Sequence, residues 1–70
     1  MDAKMGDKVR TLVELEIDGI PAGIEGTVVH ELNGQFGVEI SPGEESKAEE
    51  LEAGEVIYYG PDELEIIEQA

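Results

Sequence analysis

The chain has 70 residues, 18 acidic side chains against 4 basic ones, a net charge of −14, one histidine and no cysteine. That length holds one domain with a thin core, burying about 60% of the surface its unfolded chain exposes. The missing cysteines exclude a disulfide framework and a thiolate metal site, and the charge excludes phosphate backbones and anionic membranes, which are bound through Lys and Arg. Met1-Asp2-Ala3-Lys4-Met5 lacks the apolar stretch of a signal peptide, and no apolar run reaches membrane length. A cytoplasmic protein is expected, with residues 1–5 as a loose tail and the domain over residues 6–70.

From Lys8 to Asp18 the chain alternates, with Val9, Thr11, Val13, Leu15 and Ile17 on one face and mostly charged residues on the other. That period predicts one long half-buried strand, with Leu12 as the lone apolar residue on its charged face. Gly19-Ile20-Pro21-Ala22-Gly23 reads as a loop. Residues 26–32 and 35–40 follow as strands joined at Asn33-Gly34. A two-residue turn there would place Glu31 beside Phe36, Val38 and Ile40 and bury a carboxylate. A three-residue turn places Val28 and His30 on that face instead, and this is the predicted register.

Ser41-Pro42-Gly43 ends the third strand. Across residues 44–54, Ser46-Lys47-Ala48-Glu49 fits a capping box and Gly54 a helix-terminating glycine, so a short helix or an acidic loop is expected. Only Ala48 and Leu51 can anchor it. Glu55 to Tyr59 resumes as a strand, with Val56 and Tyr58 on one face and Ile57 and Tyr59 on the other. Gly60-Pro61-Asp62-Glu63 predicts a turn of 3₁₀ helix, and residues 64–68 a closing strand with Leu64 and Ile66 inward. The predicted core is Val9, Val13, Leu15, Val28, Phe36, Val38, Ile40, Val56, Leu64 and Ile66.

These elements describe an all-β fold, a small five-stranded SH3-like barrel with an insertion at residues 44–54. Gly6-Asp7-Lys8-Val9, Gly23-Ile24-Glu25-Gly26-Thr27-Val28-Val29, Phe36-Gly37-Val38-Glu39-Ile40 and Asp62-Glu63-Leu64-Glu65-Ile66 carry a resemblance. The layout resembles the ferredoxin–thioredoxin reductase variable chain, photosystem I subunit IV and the KOW-type barrels. The resemblance implies the barrel and an accessory role on a larger protein. It carries over no catalytic or cofactor residue, because its glycines serve turns and its last segment closes the barrel. The acidic surface departs from relatives that use basic ones, and so does the insertion.

No constellation for catalysis stands out. His30 is predicted to be a partly buried sheet residue with no nucleophile tied to it. Glu44, Glu45, Glu49, Glu50 and Glu52 lack the Asp/Asn alternation and central glycine of a calcium loop. Neither enzyme activity nor a cofactor is expected. The expected function is a non-catalytic accessory or regulatory subunit that docks on a larger, basic-surfaced protein, binding neither nucleic acid nor membrane. The alternative is an acidic mimic of nucleic acid that inhibits a DNA- or RNA-binding protein. The candidate partner-binding residues are those five glutamates and an outward apolar set of Leu12, Val29, Ile67 and one of Ile57 or Tyr59.

Overall fold

The computed structural model describes residues 3–70. Five antiparallel strands form one sheet: β1 (Lys8–Thr11), β2 (Glu25–Leu32), β3 (Gln35–Ile40), β4 (Val56–Tyr59) and β5 (Leu64–Glu68). Their order is β4-β3-β2-β1-β5. The edge strands β4 and β5 do not pair with each other, so the sheet is open rather than closed into a barrel. Two short 3₁₀ turns, Glu44–Lys47 and Pro61–Glu63, complete the regular structure. No helix among the described residues is long and apolar enough to cross a membrane.

The β2–β3 hairpin corrects the predicted register. Leu32 pairs with Gln35, and Asn33 (φ 52°) and Gly34 (φ 82°) both adopt the left-handed conformation that a two-residue hairpin turn requires. The clash of parity is removed further along, where the register slips between Val28 and His30. This bulge returns Val28 to the core opposite Val38 and turns His30 outward opposite Gly37. Glu31 stays exposed because the hairpin end projects past the core.

β1 is shorter than its alternating pattern predicts. The ladders run out just beyond Thr11: its N–H reaches Ile24 C=O and Leu12 N–H reaches Glu63 C=O in register, but the Thr11 C=O accepts Gly23 N–H while Ile24 N–H turns to the Thr11 hydroxyl. The chain then folds into its own small hairpin, with reciprocal bonds between Leu15 and Ile20 and a turn over residues 16–19. Val13 and Leu15 still pack on the core, but Ile17 rides the turn and is fully exposed. Apolar alternation therefore outlasts the sheet pairing by half its length.

Two core clusters meet under the sheet. One joins Ala3, Val9, Val28, Phe36, Val38 and Tyr59; the other joins Ile20, Ile24, Ile40 and Leu51. The face of β4 is the reverse of the expected one. Tyr59 pairs with Phe36 and Ile57 with Val38, so both turn inward, while Val56 and Tyr58 face solvent. Ala48 and Leu51 anchor residues 44–54 as expected, without an α-helix.

The segment expected as a tail is tied down from Ala3 onward; Met1 and Asp2 lie outside the described residues. Asp7 does the tying. Its buried carboxylate accepts N–H bonds from Lys4 and from Ala70, each 2.8 Å, joining the two ends of the chain. Those bonds, Ala70 first, hold its pKa below the usual carboxylate range. Glu44 is lowered too, mainly by its bond to Lys47. Both contributions are complete above the ordinary carboxylate values and are lost as pH falls through the lowered ones. Asp7→Asn is therefore expected to lower Tm at about pH 7, by a gap that narrows as pH falls through the lowered pKa of the carboxyl. Thermal melts at falling pH check it; a Tm gap that does not narrow would refute the account.

Candidate functional site

The site begins with the edge of β4. Ile40 N–H donates to Glu55 C=O at 2.9 Å, which sets the alternation of the β3–β4 ladder. Val38–Ile57 and Phe36–Tyr59 are then the bonded pairs, so the backbone N–H and C=O of Val56 and Tyr58 point away from β3. Among the described residues nothing else bonds to them.

Facing this edge is the Leu15–Ile20 hairpin. Between the two runs an open groove of about 730 Å³, with Ile20 and Ile57 among its apolar lining. Glu16, Asp18, Glu50 and Glu55 contribute carboxylates, while Ile17, Val56 and Tyr58 supply exposed apolar surface. Among the described residues only Glu25 and Glu44 are ion-paired, with Arg10 at 3.2 Å and Lys47 at 2.7 Å. Among the described residues the groove's carboxylates thus have no cation of their own.

Tyr58 is held beside the groove by a second contact. Its hydroxyl lies 2.6 Å from His30 Nδ1, and the two rings meet edge to face at 5.9 Å. Gly37, on the strand between them, permits this: a Cβ there would stand 2.9 Å from His30 Cβ and 3.1 Å from Tyr58 Cε2. The pair fixes an aromatic ring at the outer rim, positioned to stack on a lysine or arginine side chain.

The sequence-predicted site residues divide. Glu50 lines the groove, and Glu49 and Glu52 are exposed nearby in the chain. Glu44 and Glu45 are engaged locally: Glu44 accepts Glu25 N–H and pairs with Lys47, and Glu45 accepts Gly43 N–H. Tyr59 is fully buried and Ile57 packs against both core clusters, so neither belongs to an outward set. Leu12 is exposed, whereas Val29 and Ile67 are half-buried at bulges flanking the Lys8 end of β1. Leu12 follows the opposite end of that strand, so the three form no single patch.

The residues missed were Ile17, Asp18, Val56 and Tyr58. One signal was present: Asp18-Gly19 between apolar residues is a hairpin turn pair, with Gly19 at φ 69°. Comparison with protein-family models, with curated proteins and with solved structures returns no match for this chain.

Proposed function

We propose that this chain is a non-catalytic protein-binding subunit that presents its acidic groove to the basic surface of a larger protein. The observation that carries the reading is the groove itself, where carboxylates without cations surround the fully exposed Ile17 and the fixed ring of Tyr58. A large apolar side chain left wholly in water at a hairpin tip gains nothing for folding. Covered by a partner it contributes about 1.5–3 kcal/mol. Unpaired carboxylates around it speed encounter with a basic surface and reject an acidic one.

The finer fold assignment belongs to the same proposal. A long first loop, a two-residue hairpin and a 3₁₀ turn before the last strand support an SH3-like barrel layout, here left open between β4 and β5. The accessory role of the reductase variable chain, which this layout resembles, agrees with a domain that docks rather than catalyses.

Ile17→Ser is expected to leave Tm unchanged and to weaken partner binding by about tenfold or more. Affinity capture with the wild type and this variant, followed by melting of both, checks it. A stoichiometric protein retained by the wild type and lost by the variant supports the reading. Equal retention by both would place the interface elsewhere. Displacement of that protein by duplex DNA would favour a nucleic-acid mimic instead.

A further inference from the structure

Resting on that reading, we infer that the partner supplies an extended segment with lysine or arginine at alternate positions, which adds to the sheet as a strand beside β4. Three observations converge. The edge of β4 offers the N–H and C=O of Val56 and Tyr58 with no partner among the described residues. Such a row of unpaired backbone groups is a template for another strand. The groove runs along this edge and is bounded on its far side by the Leu15–Ile20 hairpin, leaving room between them. Glu16, Asp18 and Glu50 line it without any ion pair.

A strand sends successive side chains to opposite faces, so only alternate residues of the incoming segment meet those carboxylates. The others point to the opposite face of the extended sheet. That alternation is the specificity the edge imposes. A second copy of this chain is disfavoured as the occupant, since each carries a net charge of −14.

The probe is a blocked lysine–valine alternating octapeptide, titrated into the full chain while backbone amides are followed by NMR. In the free protein the Val56 and Tyr58 amides are expected to exchange quickly, and those of Ile57 and Tyr59 slowly. Peptide is expected to protect the first pair. Methylating the peptide's backbone nitrogens at alternate residues is expected to weaken binding about tenfold or more in one phase and little in the other. Glu16→Gln/Asp18→Asn/Glu50→Gln is expected to lose a similar factor at low salt and less at high salt. Val56→Pro removes an outward N–H without breaking the ladder and is expected to abolish protection at that edge. Should that variant misfold, the peptide methylation series on the wild type decides alone. Binding that ignores methylation in both phases and leaves Val56 and Tyr58 unprotected would overturn strand addition while leaving acidic docking intact. Absence of binding, or dimerisation through β4 seen by sedimentation, would overturn the inference as well. The Ile17-dependent capture above then judges the broader reading separately.

Discussion

Tyr59→Ala is expected to destabilise the domain by about 3–5 kcal/mol, whereas Tyr59→Phe is expected to be neutral or to stabilise it by about 1 kcal/mol. The ring is fully buried between Phe36 and the first core cluster, so its loss empties the centre of a thin core. The hydroxyl is a different matter. Among the described residues it makes no hydrogen bond of good geometry: the Thr11 hydroxyl, which accepts Ile24 N–H at 3.0 Å, acts on it only from outside bonding geometry. An unsatisfied buried hydroxyl costs desolvation without a return, and phenylalanine removes that cost. Burial, reinforced by Glu63 and Asp18 and opposed by Thr11, also raises the pKa of Tyr59 above the ordinary tyrosine value. Its neutral form therefore supports the fold below about pH 10, and this support is lost as pH rises through the raised value. Tyr59→Phe should thus resist alkaline unfolding better than the wild type. Denaturant melts at neutral and alkaline pH check both parts; a clear loss of stability in Tyr59→Phe would show that the hydroxyl is bonded.

Gly26→Ala is expected to cost about 3 kcal/mol or more, the upper end for overpacking a core. Gly26 lies near the start of β2, paired in the sheet with Ile40 on one side and Val9 on the other. A Cβ there would overlap the Glu39 carbonyl oxygen and stand 2.5 Å from Val38 Cγ1. A carbonyl held in a ladder cannot move aside as a side chain does, so strands must separate. For a chain this short, total stability is about 3.5–10 kcal/mol, and the substitution removes much of it. Gly37→Ala supplies the contrast. Its Cβ would meet side-chain atoms of His30, Val56 and Tyr58 on the open face, where they can swing outward. It should cost less and act mainly by separating the His30–Tyr58 pair. Equal melting of Gly26→Ala and the wild type would mean that β2 can shift away from β3 freely.

The sequence by itself determined the features that depend on neighbours along the chain. Asn33-Gly34 specifies a hairpin because both residues tolerate positive φ. Pro61 starts the 3₁₀ turn, which Glu63 closes by accepting Gly60 N–H at 2.7 Å, and β5 follows over the expected residues. Ala48 and Leu51 were legible as anchors because nothing else near them is apolar. The acidic excess needs no structure at all.

Tertiary structure alone decided where pairing stops and which way each strand faces. Alternation says that Val56 and Tyr58 share a face, but not that this face is the outer one. The β3–β4 register decides that, by setting Tyr59 against Phe36. The extra residue at the Val28–His30 bulge reverses parity within one strand, which no period-two reading of β2 contains. Likewise, Val13, Leu15 and Ile17 continue the pattern of β1, yet the reciprocal Leu15–Ile20 bonds turn the chain at residues 16–19 and send Ile17 into water. The groove is the sum of these decisions. It brings a hairpin at residues 15–20 against a strand at residues 56–59, and that meeting is set by long-range hydrogen bonds and core packing, not by any local pattern.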